Sequence, residues 1–376
     1  MVSARNDSDV LVIGGGPAGL AAALAARRRG FAVTVADSFA PPIDKPCGEG
    51  LLPDGIAALG RLGVTLPAAE THRFRGIRFV SSGMAAEAVF PSGFALGVRR
   101  TNLHRVMVEH AERAGVRFLW HTVVTGLHPE GALMRREPGR GELVCARWIV
   151  GADGSSSLVR RWAGLDTHRR CDERYAFRRH YRVSPWSDVM ELHWGKRCQL
   201  YVTPVSPEQV CVALISRNSS LRLDEALLEF PEVTERLRGA EHGSVERGAM
   251  SVTRKLARVC AGRVALIGDA SGGVDAITGE GLCLAFNQAD LLAECLVQEN
   301  LQRYQAGHRS LARRPILMAD AMLRLELRPG LRRRVMQAFR SRPQLFAAML
   351  ATHVGATSPF DFATNGLALG WELLTA

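Results

Sequence analysis

Three glycine-and-acid signatures stand in one order along the chain. Gly14-Gly15-Gly16-Pro17-Ala18-Gly19 closes an apolar run, Gly151-Ala152-Asp153-Gly154 lies mid-chain, and Gly268-Asp269-Ala270 precedes Thr278-Gly279-Glu280-Gly281. Side-chain-free backbone can approach a phosphate, and an acid at a strand end accepts from sugar hydroxyls. Gly14 is expected to make a tight turn, Gly16 to admit a pyrophosphate, and Gly19 to let the next helix lie against the strand. Asp37 follows the glycines at roughly the 20-residue interval at which a ribose needs an acceptor. A thiol and an acid, Cys47 and Glu49, share the proline- and glycine-rich loop 41–50, and long ordered loops are commonly functional. From the residues alone, Cys47 reads as a small buried side chain. Glu49 reads either as a catalytic acid or as a solvated loop charge.

The elements that must position these groups follow from patterning. Asp9 to Ile13 is a buried parallel strand, the alanine-rich stretch from Leu20 to Arg29 is a helix, and Phe31 to Ala36 is the second strand. A secretory signal is rejected, because Arg27, Arg28 and Arg29 follow the apolar stretch instead of preceding it. A helix is predicted from Pro53 to Leu62 and another from Arg100 to Gly115, with Leu103, Val106, Met107 and His110 on one face. Strands at Val116 to Trp120 and Val144 to Val150 follow, the latter delivering Asp153, which is also a candidate cap for the turn at Ser155. From about Asp172 to Ser251 the alternation predicts an antiparallel sheet, in which His193, Trp194 and Tyr201 are packing residues. Arg263 to Ile267 returns the chain to the first sheet, and a helix runs from Gly281 to Val297. Arginine-rich helices interrupted by Pro315, Pro329 and Pro343 close the chain.

Composition bounds the function. A chain of 376 residues with 47% hydrophobic content can bury a large core. Its eight cysteines have no metal-ligand or disulfide-framework spacing, so no metal is expected and a reducing, cytoplasmic location is. The net charge of +11 comes almost wholly from arginine, and no basic cluster carries a nucleic-acid-reading motif. Nucleic acid is therefore excluded as a partner. The amphipathic C-terminal helices read as core cover in preference to a peripheral membrane contact.

The ordered trio, with its interrupted domain plan, resembles the flavoprotein aromatic hydroxylases and the related geranylgeranyl reductases. The resemblance implies an α/β fold: a Rossmann-like FAD-binding domain with an interrupted parallel sheet, an inserted antiparallel-sheet substrate domain and C-terminal helices. It divides the chain into FAD-binding segments 1–72, 98–168 and 255–320, substrate segments 73–97 and 169–254, and a helical segment 321–376. FAD is the implied cofactor and NADPH or NADH the electron donor. Gly14, Gly16, Pro17, Ala18, Gly19 and Asp37 would hold the ADP half, with Arg100 and Asp153 near the pyrophosphate. Gly268 and Asp269 would meet the ribityl chain, and Gly279, Glu280 and Gly281 the isoalloxazine. Cys47-Gly48-Glu49 resembles the flavin-adjacent C-G-x-G segment of the reductases, which implies that Cys47 and Gly48 contact the cofactor and makes Cys47 and Glu49 the catalytic candidates. Gln199 to Pro204 looks more like the hydroxylases, whereas Ser271 and Ala276 stand where those enzymes usually show histidine and proline. The resulting expectation is an FAD-dependent monooxygenase that hydroxylates a lipophilic aromatic or polyketide-type molecule through a flavin hydroperoxide, with molecular oxygen as co-substrate. The alternative is a geranylgeranyl-reductase-like enzyme acting on isoprenoid double bonds. A halogenase is disfavoured, because the W-x-W-x-I-P segment and its lysine are missing, and a non-enzymatic binding protein would need fewer flavin signatures.

Overall fold

The computed structural model describes residues 5–136, 139 and 141–357; the rest of the expected C-terminal segment, 358–376, lies outside them. The run Val10-Leu11-Val12-Ile13 is apolar on both faces and ends β1 (Arg5–Ile13), which is paired on either side by parallel strands. The alanine-rich helix α1 (Pro17–Arg28) has proline in its first turn and is buried from Gly19 to Ala26. It returns the chain to β2 (Val33–Ala36). Five parallel strands lie in the order Val264–Leu266, Gly141–Gly151, β1, β2, Arg117–Leu119. β1 thus sits where the connections part to opposite sides, and the crevice at its carboxyl end is where open α/β sheets bind ligands. An antiparallel hairpin, Thr122–His128 with Gly131–Arg136, extends the strand Gly141–Gly151.

Helices α2 (Pro53–Arg61) and α3 (Arg100–Arg113) bracket the strands Gly76–Ser81 and Met84–Val89, which belong to a second sheet. The short helix α4 (Leu158–Trp162) follows the mid-chain signature. The second sheet is antiparallel except at one place, where Met190–Trp194 runs parallel to Gly76–Ser81. Those two strands come from segments more than 100 residues apart, so no hairpin constrains their direction. Two short helices, α5 (Leu223–Leu227) and α6 (Pro231–Arg236), interrupt the stretch expected to be sheet alone. Their Leu223, Ala226 and Val233 are buried on the sheet's other face.

α7 (Gly281–Val297) occupies the expected residues and packs on α1. The C-terminal helices are α8 (Leu301–Leu327), α9 (Pro329–Ser341) and α10 (Pro343–His353). Pro315 does not interrupt a helix as expected; it lies inside α8, buried. Pro329 and Pro343 open α9 and α10, where a missing N–H costs nothing. α9 and α10 cover the second sheet, with Phe339 stacked on Phe346 at 4.8 Å and Phe79 edge-on to Trp194 at 4.8 Å. His193, Trp194 and Tyr201 are buried in that sheet, in line with their reading as packing residues.

One buried charge cluster ties the second sheet to the elements above it. Arg174, fully buried on the strand His168–Arg182, donates to Asp275 at 3.0 Å, Glu326 of α8 at 2.8 Å and Gln199 at 3.3 Å. Replacing one member of such a cluster leaves its partners charged and unpaired in a dry site. Arg174→Met should lower unfolding free energy by about 3–5 kcal/mol, measured by urea denaturation of the purified protein.

Candidate active site

The carboxyl ends of β1, β2 and the strand Gly141–Gly151 open into a cleft of about 250 Å³. Gly14, Gly16, Asp37, Lys45, Arg100 and Asp153 all face it. The three glycines of the first signature have separable reasons to be glycine. Gly14 adopts φ +111°, and a Cβ there would lie 2.4 Å from the Ala152 carbonyl oxygen. A Cβ on Gly19 would lie 1.8 Å from the carbonyl oxygen of Gly14, so α1 can approach β1 only with hydrogen at that position. A Cβ on Gly16 would meet nothing nearer than an Arg100 nitrogen at 3.9 Å. Protein packing therefore does not demand glycine there.

Around this turn the polar groups are ordered in advance. Asp37 accepts from the Gly15 N–H at 2.6 Å and the Phe39 N–H at 2.8 Å, which seats its carboxylate at the cleft wall. Pro17 opens α1, whose N-cap is Gly16 and whose first turn carries no acid of its own to offset the helix's positive end. Gly268, at φ +58°, lies against Ala18 so closely that a Cβ would come within 2.6 Å of the alanine methyl. The third signature thereby touches the first. Arg100 opens α3, with its Nε buried and unpartnered. Burial pulls its guanidinium below the ordinary arginine value, opposed by the charges of Cys47, Asp269, Glu49 and Asp44. A half-buried cation with an unused buried donor beside Gly16 fits a phosphate. The Asp269 carboxylate is exposed, on the same side as Arg100.

Two expected residues are engaged otherwise. Asp153 lines the cleft, but its carboxylate accepts from the Ser157 hydroxyl at 2.5 Å and from the N–H groups of Leu158 and Val159 at 2.7 and 3.1 Å. It caps α4, the competing reading of the Asp-Gly turn. Glu280 is buried and turns away into the protein, 3.3 Å from Arg314 and 3.4 Å from His353. Burial raises its carboxyl to about 8 and lowers His353 to about 4. Of that turn, the backbone alone is left to face a ligand: Gly279 has φ +67°, and a Cβ on Gly279 or Gly281 would meet no protein atom within 4 Å.

The loop 41–50 carries the two groups whose roles the sequence left open. Glu49 is not a solvated loop charge: it is 2% exposed, at φ +58° in the left-handed region that glutamate rarely occupies. Its Oε1 accepts from the Arg100 N–H at 2.9 Å, its Oε2 lies 2.6 Å from His180 Nε2, and Arg178 Nε is 3.8 Å away. Cys47 Sγ accepts from the Glu49 N–H at 3.4 Å, and burial pushes its thiol up. A Cβ on Gly48 would meet no protein atom within 4 Å, whereas one on Gly50 would touch Met190, Phe74 and Thr203 at 3.5–3.8 Å. Sequence reasoning missed Arg178 and His180, which sit two residues apart on the strand His168–Arg182, and also His104. His104 is fully buried, 2.8 Å from the Gly15 carbonyl oxygen and accepting from the Ile43 N–H at 3.4 Å. Its spacing of four from Arg100 on one helix face was the available signal.

With this geometry in hand, comparison with known proteins is specific. The family model described as an FAD binding domain matches residues 7–309. The chain is 29% identical over 324 residues to the menaquinone reductase of Mycobacterium tuberculosis, covering 80% of this chain and 79% of that protein. It is 28% identical over 304 residues to digeranylgeranylglycerophospholipid reductase 1 of Methanothermobacter thermautotrophicus, covering 75% of each. In fold it is similar to a flavoprotein/dehydrogenase from Cytophaga hutchinsonii, with a TM-score of 0.84, 19% identity and coverage of 98% and 99% of the two chains.

Two outcomes follow from the site's packing. Gly16→Ala should leave the melting temperature of the flavin-free protein unchanged while weakening flavin binding, whereas Gly19→Ala should lower both; calorimetry and flavin titration separate them. A carboxyl whose folded value is raised to about 8 makes stability fall as pH rises from about 4.5 to 8. Glu280→Gln should therefore gain stability over the parent progressively across that window and match it below pH 4.5, read as melting temperature against pH.

Proposed function

The chain belongs to the family of flavoproteins built on the FAD-binding domain and is an FAD-dependent oxidoreductase, and from that premise we propose that it reduces isolated double bonds in a lipophilic isoprenoid. The observation that carries this reading is the loop Cys47-Gly48-Glu49-Gly50 itself: a thiol held by a buried carboxylate's backbone, with apolar side chains around Gly50. Relatives that span most of the chain bear the names of isoprenoid-quinone and isoprenoid-lipid reductases, which favours the reductase over the hydroxylase expected from Gln199 to Pro204.

In this reading segments 1–72, 98–168 and 255–320 hold FAD, segments 73–97 and 169–254 form the floor for substrate, and the remainder covers that floor. Gly14, Gly16, Gly19 and the start of α1 take the pyrophosphate, with Arg100 supplying the neutralising charge. Asp37 takes the adenosine ribose and Asp269 the ribityl hydroxyls. The backbone at Gly279 and Gly281 faces the ring system, and Asp153 acts at one remove by fixing α4. FAD held there would supply two electrons and one hydrogen, drawn from NADPH or NADH. Cys47 supplies the other hydrogen as a proton: its S–H bond breaks as a C–H bond forms, and solvent restores the thiol. The second sheet and α9–α10 keep water from the reacting carbons.

Anaerobic incubation of the flavoprotein with NADPH and a menaquinone-type or polyprenyl substrate should yield a product heavier by two hydrogens. An oxygen-dependent gain of one oxygen atom on an aromatic substrate, with no reduction of the alkene, would return the assignment to the hydroxylases. Cys47→Ser should retain its flavin yet lose about 10²-fold or more in kcat, the usual worth of a positioned proton donor.

A further inference from the structure

We propose that Glu49 and His180 are positioning residues for Cys47: the buried pair fixes where the thiol sits in its loop and sets the carboxylate that faces it. The use made of that proton rests on the reductase reading; the arrangement of the pair does not.

His180 is fully buried on the strand His168–Arg182. Arg178 lies with a guanidinium nitrogen 3.2 Å from His180 Nδ1, and a guanidinium can only donate. Nδ1 is therefore the acceptor, shared with the Ser244 hydroxyl at 2.8 Å. The ring's hydrogen is then on Nε2, and it is donated to Glu49 Oε2 at 2.6 Å. His180 is a neutral donor of fixed tautomer and Glu49 the acceptor, with its second oxygen taken by the Arg100 N–H.

The pair controls Cys47 in two ways. Glu49 donates its N–H to Cys47 Sγ at 3.4 Å, and its carbonyl accepts from Val98 N–H at 2.9 Å. The side-chain anchors at His180 and Arg100 therefore hold the left-handed turn that aims the thiol. Burial is the main reason the Cys47 thiol is pushed up; the Glu49 N–H and two nearby cations favour the thiolate, and the Glu49 carboxylate opposes them. Those cations are Arg100 from α3 and Arg178 from the second sheet; Arg178 is further neutralised by Asp44 at 2.5 Å. Cys211, donating to the Cys47 carbonyl oxygen at 3.7 Å, closes the pocket with a thiol that burial keeps protonated.

The test reads the thiol directly in the purified flavoprotein. Iodoacetamide labelling of the Cys47 peptide is followed by mass spectrometry across pH. Glu49→Gln should move the labelling midpoint down by about one pH unit, a tenfold rise in labelling at a fixed pH below it. His180→Phe, which leaves the Glu49 carboxylate without its donor, should also move the midpoint away from the parent's. His180→Gln, which restores an N–H donor to Glu49, should stay near the parent. Unshifted midpoints in Glu49→Gln and His180→Phe would overturn the inference, as would equal behaviour of His180→Phe and His180→Gln. Should Glu49→Gln fail to fold by circular dichroism, the two His180 variants decide alone. An enzyme that proves not to reduce double bonds leaves these midpoints as expected, so the two readings fail separately.

Discussion

The closeness of α1 to the end of β1 is the constraint on which the site depends. With only hydrogen at Gly19 facing the Gly14 carbonyl, the helix start is brought directly under the crevice at the sheet's carboxyl edge. Any side chain there would push α1 outward and displace the N–H groups from the cleft. The same closeness sets where the other segments arrive. Gly268 must itself lack a side chain to fit beside Ala18, and Ala152 presses its carbonyl against Gly14. Three signatures far apart in sequence are thus held in contact by backbone packing in which almost no atom can be added.

Charge burial does the corresponding work between the two sheets. Glu49 joins the loop 41–50, the start of α3 and the second sheet through hydrogen bonds to Arg100 and His180. Arg174 joins that sheet to the segment before α7 and to α8 through Asp275 and Glu326. A dry ionic group is costly unless every partner is in place, so each cluster admits one relative placement of the elements it bridges. The position of the thiol relative to the cleft is set by these contacts as well as by the course of its own loop.

The fold was largely legible from local patterning. The buried strands, the alanine-rich α1, and α7 from Gly281 to Val297 lie where apolar period and helix propensity put them. The misplacements have physical causes. Pro315 is tolerated within α8 because a long helix packed on both neighbours retains the rest of its hydrogen bonds, and proline at Pro329 and Pro343 starts helices as readily as it stops them. α5 and α6 are too short, at five and six residues, for a period to declare itself within a sheet-like stretch.

The sequence by itself determined the flavoprotein family and the glycine turn, because those depend on residue types at fixed short spacings; between hydroxylase and reductase chemistry it leaned to the hydroxylase, on short stretches such as Gln199 to Pro204. It left Asp153 and Glu49 open and put Glu280 at the isoalloxazine, since whether an acid faces ligand, helix end or protein interior depends on neighbours distant in the chain. Only the tertiary structure turned Asp153 onto α4, sent Glu280 inward to Arg314 and His353, and paired Glu49 with His180, 131 residues away. A carboxylate's role is set by which donors surround it once water is gone, and that set is assembled by folding.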